Sequence, residues 1–185
     1  MTLREEKELV RKAKKDSEAF GRLYDEHYRK IFGYVLRRTG NIETTQDIVS
    51  ETFLKALKNL WKFKWQNVPF SSWLYRIASN EIVNFYRHKK PAVSLASIAE
   101  PVFEKDILEG ISLAQERLKE HQDFLEIRKQ IGLLPEKYQQ VLALRFFESK
   151  QIKEIAEILG KREGTIKSLV HRGLKRLKGQ FNATN

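Results

Sequence analysis

The chain has 185 residues, 35 Lys and Arg against 24 Asp and Glu, a formal charge of +11 and no cysteine. No cysteine means no disulfide framework and no thiolate metal site. No run approaches the ~20 apolar residues of a membrane span, and the opening MTLREEKELVRKAKK lacks the apolar core of a signal peptide. A cytoplasmic protein of one or two domains, without membrane insertion, is therefore expected. Its positive excess favours polyanion partners through counterion release and electrostatic steering.

In chain order, Thr2 and Glu5 have the spacing of a capping box for a short, highly charged first helix. Asp16 caps a longer one with an apolar stripe of Phe20, Leu23, Tyr24, Tyr28, Ile31, Phe32, Val35 and Leu36, closed by Gly40 and Asn41. A third helix is predicted from about Thr44 or Thr45, with Val49, Phe53, Leu57 and Leu60 inward. Its other face shows Asp47, Glu51 and Lys55, a spacing that by itself fits solvated ion pairing. An aromatic-rich passage follows, with a loop near Lys62–Phe70 and a helix from about Ser72 to His88. Trp73, Ile77 and Ile82 are expected in the core, whereas Phe63 and Tyr86 are harder to bury. Aromatic rings among basic residues also make a platform for unstacked bases.

Charge divides the chain into blocks. From Trp61 to Lys90, the bases Lys62, Lys64, Arg76, Arg87, Lys89 and Lys90 meet one acid, Glu81. Pro91 ends the helix before it, the stretch to Glu126 is acid-rich, and Pro91 to about Ile111 reads as a tether that contains Val102, Phe103, Ile107 and Leu108. Helical spacing returns at Phe124, Ile127 and Ile131, and Leu133–Leu134–Pro135–Glu136 opens another helix. Val141, Leu142, Leu144 and Phe146 are expected inward. Ile152, Ile155, Ile158 and Leu159, then a break at Gly160, then Ile166, Leu169, Val170, Leu174 and Leu177 give two helices joined by a glycine turn. The second carries Lys161, Arg162, Lys167, His171, Arg172, Lys175 and Arg176. Spacing alone leaves a DNA-reading helix-turn-helix and an ordinary helical hairpin equally open.

Nothing argues for catalysis. His27, His88, His121 and His171 are scattered without metal-ligand spacing, and no Walker, GxGxxG or GxSxG motif occurs. The expectation is a non-enzymatic protein with no cofactor, no metal and no small-molecule substrate.

Four passages in order resemble the bacterial sigma-70 family, in its extracytoplasmic-function group. QDIVSETFLKAL (Gln46–Leu57) is similar to the family's core-binding helix, FSSWLYRIASNEIVNFYRHKK to its promoter-melting region, LLPEKYQQVLALRFFE to the opening of its second domain, and GTIKSLVHRGLKRL to its recognition helix. The resemblance implies an all-α chain of two small helical domains joined by a flexible tether, the second ending in a helix-turn-helix: 1–90, an acidic linker 91–115, and 116–185. It implies RNA polymerase core, promoter DNA and an anti-sigma factor as partners. Asp47, Glu51 and Lys55 would face polymerase. Phe63, Lys64, Arg76, Asn80, Asn84, Arg87, Lys89 and Lys90 would form the melting surface, with Asn80 at a base, the bases Arg76, Arg87, Lys89 and Lys90 on phosphates, and the loop before the helix receiving a flipped base. Arg162, Gly164, Thr165, Lys167, Ser168, His171, Arg172 and Lys175 would meet the upstream promoter element.

The chain departs from the family pattern in places. Ser50 stands where glutamine is usual, Asn84 where aspartate is frequent, and Leu169 at a position often held by arginine. Gln151 replaces a serine or threonine cap, worth about 1 kcal/mol. A stand-alone regulator with the same helix-turn-helix, and a general RNA-binding helical protein, are the rival classes. The first leaves the core-binding and melting passages unexplained, and the second would show binding governed by salt alone.

Overall fold

The computed structural model describes residues 1–65, 68–88 and 124–184; Lys89, Lys90 and the expected tether lie outside them. Every regular element among the described residues is helical. Helix α1 is Leu3–Ala13, and its capping box forms: Thr2 N–H donates to Glu5 Oε2 at 2.8 Å and Glu5 N–H to Thr2 Oγ1 at 3.3 Å. Helix α2, Ser17–Thr39, starts where Asp16 accepts the Glu18 N–H at 2.9 Å. It stops at Gly40, whose φ of 68° is cheap only without a Cβ. Asn41 then accepts the Thr44 N–H at 2.8 Å, so α3 runs Ile42–Asn59 and starts a few residues before the expected Thr44 or Thr45. A 3-10 turn, Leu60–Lys62, leads towards α4, Phe70–His88, which likewise begins ahead of its expected Ser72 start.

Leu23, Ile31, Tyr34 and Val35 of α2, Ile48, Val49, Phe53 and Ala56 of α3, and Leu74, Ala78 and Ile82 of α4 form one core. The buried Tyr34 hydroxyl is satisfied by Ser79 Oγ at 2.9 Å, and burial raises its pKa. Two sequence expectations shift here. Leu57 is 46% exposed, because Phe53, Ala56 and Leu60 take the inward positions. Trp73 and Ile77 are half-buried rather than interior, whereas Ile82 is fully enclosed.

A second group begins with α5, residues 124–132, and continues with α6 (Glu136–Leu142), a π turn (Ala143–Phe147), α7 (Ile152–Leu159) and α8 (Glu163–Thr184). The π turn adds a residue to one helical turn. Phe146 is thereby turned outward, 52% exposed, while Phe147 meets Phe124 at a ring separation of 5.3 Å. Ile127 and Leu174, both read as inward, are also exposed; Ile131 and Leu134 are buried near α5, and Ile166 and Leu169 in α8. At Gly173 a Cβ would come within 3.2 Å of Leu142, so α6 and α8 cross at glycine distance. The expected weak cap at Gln151 is offset from the other side, since Glu154 accepts the Gln151 N–H at 2.8 Å. None of the described helices is long and apolar enough to cross a membrane.

The two groups are packed together, α4 against α7 and the end of α2 against the π turn. Arg37 pairs with Glu148, and Tyr75 donates to the same carboxylate at 2.7 Å. Arg38, whose side chain is 2% exposed, reaches Glu136 Oε1 at 2.6 Å. A buried guanidinium needs such a partner, since an unpaired one costs several kcal/mol. Burial beside the Glu148 carboxylate also drives the Tyr75 phenol far above its ordinary pKa. Replacing Glu148 with Ala removes the acceptor for both Arg37 and Tyr75, at about 1–3 kcal/mol for each group left unpaired. The expected result in small-angle X-ray scattering is a larger radius of gyration with unchanged helical circular dichroism. A native radius would show that these bonds do not hold the groups together.

Candidate nucleic-acid interface

The exposed side of α8 is set by its buried side. With Ile166, Leu169 and Gly173 turned inward, helical spacing leaves Gly164, Thr165, Lys167, Ser168, His171, Arg172 and Lys175 outward, and all are exposed. Leu169 therefore belongs to the core, 7% exposed, and an arginine there would replace packing rather than extend the outer face. Ser168 Oγ donates back to the Gly164 carbonyl at 2.9 Å, and Arg172 Nε donates to the Ser168 carbonyl at 3.2 Å, which orients that guanidinium along the helix. A Cβ added to Gly164 would meet nothing within 4 Å, leaving the first turn of α8 open to a close approach. Thr165 and Ile166 N–H already donate to the Arg162 carbonyl, at 2.9 and 3.1 Å, so the donors suited to a phosphate are the N–H groups that precede them.

On α4, Arg76, Asn80, Asn84 and Arg87 recur at three- and four-residue spacing and share a face. Asn80 and Arg87 are exposed; Asn84 is half-buried and accepts from Arg87 Nη2 at 3.1 Å. Arg76 is engaged elsewhere. Its Nε donates to the Ile158 carbonyl at 3.0 Å and an Nη to the Glu157 carbonyl, so it neutralises the carbonyl end of α7. Phe63 is half-buried in an aromatic cluster with Trp73 (4.8 Å between centroids), Phe70 (5.5 Å) and Trp65 (6.3 Å), and Lys64 is exposed beside it. Exposure falls instead on Trp61, at 69%, with Lys62 Nζ 4.8 Å from its ring centre. Trp61 is not one of the two aromatics singled out from sequence as hard to bury; its place directly after the inward-facing Leu60 is the available signal.

A cleft of about 760 Å³ joins the two surfaces. Phe63, Lys64 and Arg76 line one side, and Lys153, Lys161 and Arg162 the other. Arg162 and the residues before α4 thus meet here, whereas Lys167, His171, Arg172 and Lys175 lie outside its lining.

The third set sits on α3. Asp47 is exposed and Glu51 is partly so. Lys55 lies between Glu51 at 3.2 Å and Glu81 of α4 at 2.6 Å, and the Glu81 hydrogen bond raises its pKa. One ammonium thus meets two carboxylates, so the trio keeps a net negative charge and the exposed Asp47 adds another. The exposed Leu54, Leu57 and Trp61 adjoin it along the helix, an apolar strip that the inward assignment of Leu57 had hidden.

An exposed basic helix after a glycine turn, joined to a second helical unit with its own basic and aromatic face, defines a helix-turn-helix protein built for nucleic acid. Comparison with known proteins specifies it. Residues 23–91 match sigma-70 region 2 and residues 124–177 match sigma-70 region 4. The ECF RNA polymerase sigma factor SigW of Bacillus subtilis is 33% identical over 181 residues, covering 95% of this chain and 96% of that protein. Among solved structures, CnrH in complex with the cytosolic domain of CnrY has a TM-score of 0.70 at 20% identity, covering 97% of this chain and 99% of that one. The sigma factor RpoE with the anti-sigma factor NepR from Bartonella quintana has a TM-score of 0.65 at 19% identity, covering 90% and 98%. The chain belongs to the sigma-70 family, in the ECF group of RNA polymerase sigma factors.

Arg172→Ala is expected to weaken binding to specific duplex sites by about 1–3 kcal/mol while sparing unrelated sequences, as for a residue reading a base edge. Equal losses on specific and random duplexes, measured by fluorescence anisotropy at fixed salt, would make it a phosphate contact instead.

Proposed function

We propose that this sigma factor, itself without catalytic activity and working in the cytoplasm, recruits polymerase core through α3 and opens the downstream promoter element on α4 while α8 holds the upstream element as duplex. Residues 1–90 act as the core-binding and melting domain, 116–185 as the upstream-element domain, and 91–115 as the linker between them. The carrying observation is that one chain presents both an α4 face of Arg76, Asn80 and Arg87 beside an aromatic cluster and an α8 face of Lys167, His171 and Arg172. A regulator acting without polymerase has no use for the first.

Asp47 supplies the exposed acid for a basic polymerase surface, and Leu54, Leu57 and Trp61 add apolar area that desolvates the contact. A flipped non-template base lodges against the Phe63–Trp73 cluster, where stacking offsets the few kcal/mol of unstacking. Arg76 can turn its whole guanidinium fork to a phosphate after leaving the α7 carbonyls, so the compact packing of α4 on α7 is a resting state that opens on promoters. An anti-sigma factor that favours the packed state would keep it at rest; the structural relatives bound to the CnrY cytosolic domain and to NepR motivate that assignment.

Transcription in vitro by core polymerase, with and without this chain, tests the reading. Start sites that appear only with the chain and share an upstream and a downstream element are expected; no new start sites would refute it. Asp47→Lys is expected to lower affinity for core at least tenfold, about 1.4 kcal/mol, with specific duplex binding by α8 retained. Unchanged core affinity would remove Asp47 from the contact.

A further inference from the structure

Helix α1 precedes the residues matched to region 2, yet it grips both ends of the passage that leads into α4. Lys14, at the end of α1, donates from Nζ to the Phe63 carbonyl at 2.7 Å. One end of the passage is thus fixed by a charge-assisted bond across a sequence separation of 49. At the other end Glu6 Oε2 accepts the N–H of Phe70, the first residue of α4, at 3.1 Å. That N–H is one of the donors a helix start leaves unpaired, and a carboxylate there also meets the positive end of the helix dipole.

Glu6 is an unusual residue for this place. It is 5% exposed, on a helix otherwise rich in solvated charge, and a buried carboxylate is retained only where something holds it. Its second oxygen faces His27 of α2, with Nε2 at 3.1 Å. The His27 ring in turn lies 5.7 Å from that of Phe70. One carboxylate of α1 therefore caps the start of α4 at Phe70 and lies against His27 of α2.

We infer that α1 is a positioning element for promoter opening, with Glu6 and Lys14 holding Phe63 and Trp73, over the buried Phe70, in place to receive a flipped base. The inference rests on the reading of that cluster as the base-receiving surface. Preorganisation of this kind acts on the open complex, where the base is captured, and leaves duplex binding by α8 and core binding by α3 alone.

The test uses the full chain with core polymerase and a promoter carrying 2-aminopurine at the non-template base of the downstream element. Lys14→Met, at an exposed position, and Glu6→Gln, which keeps shape but removes the charge, are each expected to reduce the open-complex fluorescence equilibrium about tenfold, the size of one charge-assisted hydrogen bond. Lys14→Arg, which keeps a donor, is expected to retain most of it. Core affinity and upstream duplex binding are expected at native values in all three. Native opening by Lys14→Met would overturn the inference, as would losses in core affinity that parallel the loss of opening. Phe63→Ala separates the two readings. If it impairs opening while Lys14→Met does not, only the role of α1 fails. If Phe63→Ala opens normally, the base-receiving reading itself fails and takes this inference with it.

Discussion

Three arginines of the first helical group find their partners in the second. Arg37 meets Glu148, Arg38 meets Glu136, and Arg76 meets the carbonyls that end α7. Arg38 is nearly inaccessible, so its pairing is a condition of the packed arrangement rather than an ornament on it. These contacts hold α4 beside α7 and so shape the cleft lined by Phe63, Lys64 and Arg162, while Lys167, His171, Arg172 and Lys175 of α8 stay exposed outside it. Direct contact between the groups also constrains how α8 and α4 are spaced. On the proposed function, reading one promoter element as duplex and the other as single strand goes with a change in that spacing.

The helices and their ends were legible because each is written locally. Thr2 with Glu5, Asp16 and the left-handed glycines Gly40 and Gly160 declare starts and stops through hydrogen bonds to near neighbours. Where the reading slipped, a neighbour or a non-local constraint decided. Asn41, taken as part of the stop of α2, is the cap of α3. Phe146 keeps its place in an apolar pattern, but a π turn rotates it to the surface. Leu57 and Leu174 have core spacing, yet their places inside are taken by other residues, and they are left as exposed apolar surface.

The site was legible in part. Helical spacing around Ile166 and Leu169 tells which residues of α8 face outward, and Lys167, Ser168, His171 and Arg172, which the resemblance assigns to the upstream element, are among the exposed ones. The resemblance supplied Asp47 and Asn80, whose exposure follows from the inward faces of α3 and α4. Arg76 and Lys55 were named with them, but sequence gives no hint that each is already paired across the fold, to α7 and to Glu81. Glu6 was hidden for the same reason: its partners, Phe70 and His27, are distant in the chain. A sequence shows which side chains carry charge, and only the fold shows which charges are already matched.

On the proposed function, the packed chain is a resting form of the sigma factor and the separated chain its working form. Because the chain has no cysteine, Arg22→Cys on α2 and Lys178→Cys on α8 can carry a donor and an acceptor dye at exposed positions without further changes. Single-molecule energy transfer should be high for the free chain and fall to a distinct lower state when core polymerase is added. Transfer that stays at its free-chain value in the polymerase complex would contradict the account.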